Sequence, residues 1–149
     1  MTPDERRAFL ELGRDVLARQ PFSVLVGAEL DTLKPGHCVL AVNVTDQLKQ
    51  QHGIAHGGVV SYLADNALTY AGGTAMRVPV VTSEFKINYL RPAVGNRLVA
   101  RADAVYVGNS QAVCRCDVFA LSGGGEILCA VAQGTIVKLS DAPPAAVGA

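Results

Sequence analysis

The sequence lacks an excess of either positive or negative charge, because its 149 residues include 13 Lys and Arg and 13 Asp and Glu. A nucleic-acid-binding domain usually carries a basic patch, and attachment to an anionic membrane surface uses a polybasic segment. No stretch approaches the ~18 apolar residues of a membrane-spanning helix. The sequence therefore predicts no nucleic-acid partner and no membrane association.

Targeting signals and cysteine-based sites are missing as well. The segment MTPDERRAFLELGRDVLARQ contains acidic residues and no apolar core, so it is not a secretory signal peptide. The four cysteines form no C-x-x-C pair, and no His lies near Cys114 and Cys116. We therefore expect a cytoplasmic protein whose cysteines are small apolar side chains, without a metal site.

Three familiar catalytic and nucleotide-binding signatures are also absent. The sequence contains no G-x-S-x-G nucleophile elbow, no Walker A sequence and no G-x-G-x-x-G dinucleotide fingerprint. An α/β-hydrolase, a P-loop NTPase and a dinucleotide-dependent enzyme are therefore not expected.

Half of the residues are hydrophobic, which is enough for one packed domain over residues 1–149. Capping signals at Thr2 and Glu5 begin a helix within residues 1–20, and Pro21 ends it. The remaining pattern predicts a weakly patterned stretch over 24–34 with a strand in its second half, a strand over 38–44, a helix over 57–72 and strands over 80–90, 97–107, 111–121 and 126–139. Residues 140–149, rich in Pro and Ala, are predicted to be a flexible tail.

The last four predicted strands are separated by short turns, so we expect them to form an antiparallel meander. The apolar face of such a sheet must be covered, and only the helix over residues 57–72 is long and apolar enough. Gly72-Gly73 is expected to end that helix. The predicted fold class is therefore α+β, with an antiparallel sheet wrapped around one long central helix.

Asp65 is the only formal charge between Gln50 and Met76. It lies in the middle of the predicted apolar helix, where a carboxylate loses hydration unless it is paired or neutralised. No cation lies three or four residues away on the same helix face. Two interpretations are open: a structural carboxylate tied to a distant arginine or to backbone amides, or a functional group.

The motif His56-Gly57-Gly58 lies where this helix begins. The first N–H groups of a helix have no internal partner and carry the positive end of the helix dipole. Glycine at Gly57 and Gly58 lets a ligand approach the backbone closely, and such a corner can hold a developing oxyanion. Turn glycines before a helix have the same pattern, so the motif alone is weak.

Gly57 and Asp65 are eight residues apart, which is ~12 Å along one helix. One substrate carbonyl cannot contact both from the same subunit. Either the two residues serve different purposes, or two subunits each supply one of them. The second alternative predicts a dimer whose interface contains the active site.

Residues 53–73, GIAHGGVVSYLADNALTYAGG, closely resemble the hotdog-fold thioesterases of the phenylacetate-degradation (PaaI) type. Those proteins have HGG at the start of the central helix and an Asp nine residues after the His. The resemblance continues in TSEFKINYLRPA, residues 82–93, and in pattern it covers roughly residues 20–139. It implies hydrolysis of an acyl-coenzyme A, with coenzyme A as part of the substrate and no separate cofactor.

The resemblance also implies roles for individual residues. Asp65 would activate or position water, or attack the thioester carbonyl directly, and the Gly57 amide of a partner subunit would polarise that carbonyl. The family often has an Asn six residues before the motif histidine; Gln50 stands there in this sequence. A hydroxyl that binds the water would be Thr82, with Ser83 as the rival.

Substrate-binding residues are implied less directly. His56 would orient the loop in front of the helix. Arg91 and Arg97 are expected to be solvated surface charges, of which one is a candidate for a phosphate contact, and the turn at Asn109-Ser110 corresponds to a turn beside the nucleotide of coenzyme A. Relatives of this kind form homodimers that pair into homotetramers.

Two other functions compete with the thioesterase. Hotdog dehydratases or hydratases act on acyl chains with a His paired to an acidic residue, whereas the carboxylate here lies in HGGxxxxLAD. A non-catalytic acyl-CoA-binding hotdog protein would usually carry a DNA-binding segment, and the single, charge-balanced N-terminal helix does not supply one. The sequence does not name the acyl group.

Overall fold

A computed structural model describes residues 1–140 as three α-helices and six β-strands. The elements are α1 (Pro3–Ala18), α2 (Pro21–Val26), β1 (Ala28–Lys34), β2 (His37–Asn43), a 3-10 turn (Asp46–Leu48), α3 (Gly57–Met76), β3 (Val80–Tyr89), β4 (Arg97–Val107), β5 (Gln111–Ser122) and β6 (Gly125–Lys138). Apart from Ser140, the predicted tail lies outside the described residues.

The N-terminal region contains two helices rather than one. The capping box that begins α1 is present: Thr2 Oγ1 accepts from the Glu5 amide at 3.2 Å, and Glu5 Oε2 accepts from the Thr2 amide at 2.7 Å. Pro21 then begins the six-residue α2, and Gly27, with φ of 73°, ends it. The sequence did not predict α2, because six residues are too few to establish a helical period.

The six strands form one antiparallel sheet in the order β1-β2-β4-β5-β6-β3. The predicted meander is therefore wrong at β3, which pairs with β6 and lies at the edge of the sheet. Residues 90–96 cross from β3 to β4, a gap of three strand spacings or ~14 Å. Seven residues can span this gap, since an extended chain reaches ~3.3 Å per residue.

The central helix α3 continues past Gly72-Gly73 to Met76, so these glycines do not end it as predicted. A Cβ at Gly72 would lie 2.8 Å from Cβ of Ile136 on β6. Glycine therefore lets the helix approach the sheet closely. The helix ends at Arg77, which has φ of 58°.

The core lies between α3 and the concave face of the sheet. Five α3 side chains have no exposed surface: Leu63, Ala64, Ala67, Leu68 and Ala71. They pack with buried residues of β2, β4, β5 and β6, while α1 packs mainly on β1. The predicted α+β class, a sheet around one central helix, is confirmed. Within residues 1–140 no helix combines the length and the apolar character needed to cross a membrane.

Candidate active site

The carboxylate of Asp65 is held by a pair of threonines. Thr82 on β3 donates a 2.6 Å hydrogen bond to Oδ1 of Asp65, and its oxygen lies 3.0 Å from Oγ1 of Thr69. Thr69, one turn further along α3, donates to the backbone oxygen of Asp65 at 2.9 Å. Within residues 1–140 no arginine or backbone amide binds this carboxylate, and no donor occupies Oδ2. One carboxylate oxygen is thus available for chemistry.

Ser83 is the alternative candidate for the hydroxyl beside Asp65, and the geometry of β3 distinguishes it from Thr82. The register of β3 with β6 shifts between Thr82 and Glu84, so Ser83 is the extra residue of a β-bulge. Its side chain is exposed, whereas Thr82 is half-buried against α3. Thr82 therefore lies at Asp65, and Ser83 does not bond to it.

Asp65 is half-buried and opens into a cavity of about 420 Å³. The opposite wall comes from the α1–α2 junction, which includes Arg19, Gln20 and Phe22. The ring of Phe22 makes an edge contact with Tyr62, with ring centroids 5.1 Å apart. The N-terminal helices thus form part of this cavity, a placement that no local sequence signal indicates.

A hydrogen-bonded polar network ties the α1–α2 junction to α3 beside Asp65. Tyr62 donates to Ser23 at 2.6 Å, and Ser23 donates to Gln20 Oε1 at 2.6 Å. Asn66, next to Asp65, donates to the same Gln20 oxygen at 3.1 Å. Ser23 is only 2% exposed, so the network fixes this wall of the cavity.

The second part of the candidate site is the N-terminus of α3. His56 is the N-cap residue, and its Nδ1 accepts from the Gly58 amide at 2.8 Å. This bond links the His56 ring to the first turn of α3. Within the described residues, no acceptor takes the N–H of Gly57. This amide is free to bind a substrate oxygen.

Gln50 lies in the same corner. Gln50 and Gly57 line a cavity of about 440 Å³, together with Arg91. The side-chain oxygen of Gln50 accepts from the His52 amide in a short hydrogen bond, which fixes the orientation of the side-chain amide. No acceptor within residues 1–140 takes its Nε2. The donor end of Gln50 is therefore available in the cavity that Gly57 also lines.

Tyr89 is a residue of this corner that the sequence did not single out. Its hydroxyl donates to the backbone oxygen of Gly57 at 3.1 Å, and a Cβ on Gly57 would lie 3.5 Å from its ring. Tyr89 is the last residue of β3, so it links the edge strand to the first turn of α3. The available sequence signal was an aromatic residue two positions before Arg91-Pro92.

The remaining candidate substrate-binding residues are two arginines and one turn. Arg91 is exposed at the mouth of the Gly57 cavity, whereas Arg97 is bound to Glu29 and Asp31 at 2.8 and 3.1 Å. Asn109 and Ser110 form the exposed turn between β4 and β5 and line neither the Asp65 cavity nor the Gly57 cavity.

Within one chain the two parts of the site are separate. Asp65 and Gly57 line different cavities and are eight positions apart on α3. No described residue bridges the two cavities into one site. The two cavities are therefore two candidate half-sites.

The four cysteines are free and at most 1% exposed. Burial raises the pKa of Cys114 to about 11 and raises the pKa of the other three thiols. In the part of the chain that the structure describes, no group of three or more His, Cys, Asp or Glu side chains is placed to hold a metal ion.

Residues 52–127 match the family model of the thioesterase superfamily. A thioesterase family protein from Silicibacter pomeroyi has a TM-score of 0.80 and 39% identity, over 83% of this chain and 93% of that one. A variant of the phenylacetic acid degradation protein PaaI from Thermus thermophilus has a TM-score of 0.71 and 35% identity, over 80% of this chain and 100% of that one. The medium/long-chain acyl-CoA thioesterase YigI of Salmonella typhimurium is 27% identical over 72% of this chain and 80% of its own length. The chain therefore belongs to the thioesterase superfamily, as a PaaI-like hotdog-fold hydrolase of acyl-CoA thioesters.

Proposed function

We propose that Asp65 is the catalytic carboxylate of this acyl-CoA thioesterase. Thr82 holds Oδ1 and leaves Oδ2 to accept a proton from water. That water attacks the thioester carbonyl carbon, the carbon–sulfur bond then breaks, and the coenzyme A sulfur leaves as a thiolate that takes up a proton. Direct attack by Asp65 is the alternative: it would form a mixed anhydride and release the coenzyme A thiolate, and water that opened the anhydride at the Asp65 carbonyl carbon would leave labelled oxygen in that side chain.

The oxyanion that forms on the substrate needs hydrogen-bond donors that are already in place. The free amide of Gly57 and the Nε2 group of Gln50 line one cavity and meet this need. Because both lie in a different cavity from Asp65, we propose that they come from the partner subunit of a homodimer.

The positions of Thr82 and Tyr89 along β3 support this proposal. Thr82 and Tyr89 lie at equal distances from a point between Phe85 and Lys86, and they contact Asp65 and Gly57 respectively. The bulge at Ser83 puts both side chains on the helix side of the strand, although simple alternation would put them on opposite faces.

Two-fold antiparallel pairing of the β3 edges about this point would set Thr82 opposite Tyr89 of the partner subunit. Asp65 of one chain then lies beside Gly57 of the partner subunit, and each dimer has two complete sites. The unpaired edge of β3 supports this pairing, since the free backbone N–H and C=O groups of a ten-residue edge strand can hydrogen-bond to another strand.

Other assignments follow from the same arrangement. Arg91, at the mouth of the Gly57 cavity, would bind phosphate of coenzyme A, and the exposed turn at Asn109 and Ser110 would contact the nucleotide. Pairing of dimers into a tetramer agrees with the resemblance to PaaI-type proteins. A cytoplasmic location is supported by four free, buried cysteines.

A dehydratase or hydratase is disfavoured because residues 52–127 match the thioesterase superfamily. The Nδ1 atom of His56 also accepts from the Gly58 amide to cap α3, which leaves only Nε2 for a proton transfer.

Subunit complementation tests the shared site. Asp65→Asn and Gly57→Val chains are each expected to form inactive dimers, but random mixing gives mixed dimers in which one of two sites has both native residues. The mixture should recover about one quarter of the wild-type activity.

The matched control mixes the Asp65→Asn chain with an Asp65→Asn/Gly57→Val double variant. No dimer in that mixture has an intact site, so activity should stay at background. A first mixture no more active than its parents would contradict a site made from two subunits.

A further inference from the structure

A long apolar groove leads away from Asp65 between the N-terminal helix and the central helix. Its volume is about 1020 Å³, which is at the upper end for small-molecule sites. We name it the α1–α3 groove, and its apolar walls include Phe9, Leu12 and Val16 on α1, Tyr70 and Gly73 on α3, and Val80 on β3.

This groove adjoins the cavity of Asp65. Gln20, Asn66 and Thr69 line both spaces, and Thr69 hydrogen-bonds to the backbone oxygen of Asp65. A ligand whose reacting carbonyl lies at Asp65 can therefore extend directly into the groove. From Thr69 to Arg77 the groove follows eight residues of α3, or ~12 Å.

The α1 wall has an apolar stripe that the protein itself does not cover. Phe9, Leu12 and Val16 recur at helical spacing, and Leu12 and Val16 are 60% and 37% exposed. Apolar side chains that converge on an open space of this length suit a linear hydrocarbon. An acyl group of two to four carbons would leave most of the groove empty.

We propose that the α1–α3 groove binds the acyl chain of the substrate and selects medium-length and long apolar chains. The inference rests on the proposed role of Asp65, because the groove adjoins the cavity that this residue lines. It assigns α1 to substrate specificity, through Leu12 and Val16, rather than to stability alone.

A chain-length series tests the proposal. With wild-type protein, kcat/KM should rise from acetyl- to dodecanoyl-CoA, by up to about fourfold for each methylene that becomes buried. Val16→Phe narrows the groove at a partly exposed position, and it should lower kcat/KM for decanoyl- and dodecanoyl-CoA at least about tenfold while leaving acetyl- and butyryl-CoA unchanged.

Two further variants make this test specific. Leu12→Trp fills the groove from a more exposed position, so it should have the same effect even if Val16→Phe folds poorly. Leu25→Phe is the matched control, because Leu25 lies on α2, is 78% exposed and does not line the groove. An equal loss of activity at every chain length, or no loss at any, would overturn the proposal.

A binding measurement distinguishes the proposed acyl-chain groove from the proposed catalytic role of Asp65. S-alkyl-CoA thioethers cannot be hydrolysed, and calorimetry with the wild-type protein should give an affinity that increases from S-butyl to S-dodecyl, with the increase lost in Val16→Phe. If binding follows chain length but Asp65→Asn hydrolyses normally, the catalytic proposal fails and the groove remains. If the groove variants instead change the oligomeric state and leave both chain-length profiles unaltered, the groove is a contact between chains and the proposal is wrong.

Discussion

Thr82 donates a 2.6 Å hydrogen bond to Oδ1 of Asp65, joining the edge strand to the middle of the central helix. The two residues are 17 positions apart in the sequence. This bond orients the carboxylate toward the cavity and leaves its second oxygen open. It explains how a lone carboxylate is accommodated in a largely apolar helix, because hydrogen bonding to the charged form offsets part of its lost hydration.

Asp65→Asn should lower kcat for acyl-CoA hydrolysis at least about 100-fold, because an amide cannot accept the proton of the attacking water. The Asn side-chain oxygen can still accept from Thr82, so thermal melting and the binding of an S-alkyl-CoA should stay close to wild type. Asp4→Asn, at an exposed carboxylate on α1, serves as the control. A stable Asp65→Asn protein with wild-type turnover would contradict the mechanism in which Asp65 accepts the proton of the attacking water.

Thr82→Val removes the hydrogen bond to Asp65 and keeps a side chain of similar shape. We expect kcat to fall about tenfold or more, since a hydrogen bond to a charged group is lost, with little change in KM. Thr82→Ser should restore most of the activity, and Ser83→Ala should have no effect because Ser83 is the exposed bulge residue. Steady-state kinetics of the three variants test this assignment of Thr82. A loss of kcat in Ser83→Ala rather than in Thr82→Val would contradict it.

Tyr89→Phe removes the hydrogen bond to the backbone of Gly57 and preserves the ring that lines the cavity. Because this bond holds the first turn of α3, kcat should fall about fivefold, while the melting temperature changes little. Tyr106→Phe makes the same chemical change at a position that is 57% exposed and lines neither half-site. Equal kinetics for the two variants would show that Tyr89 does not position the oxyanion corner.

The four thiols should be unreactive in the native protein. Their pKa values are raised by burial, so less thiolate is present near pH 8 than for an ordinary cysteine, and the side chains are at most 1% exposed. Titration with dithiobis(nitrobenzoate) should detect almost no thiol before denaturation and four afterwards. Rapid labelling of a native thiol would contradict this burial and would add background to assays that trap free coenzyme A.

Much of the local structure could be predicted from periodicity. The helix from Gly57 and the strand Arg97–Val107 begin where the pattern indicates, because each depends on a repeat within a few consecutive residues. The end of α3 was predicted too early, since Gly72 serves close packing against Ile136 rather than helix termination. That purpose depends on a strand more than sixty residues away, which no local pattern reveals.

The sequence by itself determined the chemistry that this chain can offer. A single charge in the central helix and two glycines at its start mark Asp65 and Gly57 as candidates, and their separation along the helix predicts a site shared between two subunits. These inferences can be drawn from the sequence because helical rise and the burial cost of a charge are local properties.

Only the tertiary structure decided what surrounds those residues. It selected Thr82 over Ser83 through a bulge, placed β3 at the sheet edge, linked Tyr89 to Gly57 and brought α1 and α2 to the Asp65 cavity. Each depends on contacts between distant parts of the chain, where strand pairing and packing are set by the whole core. The periodicity of one segment does not encode which edge or helix it will meet.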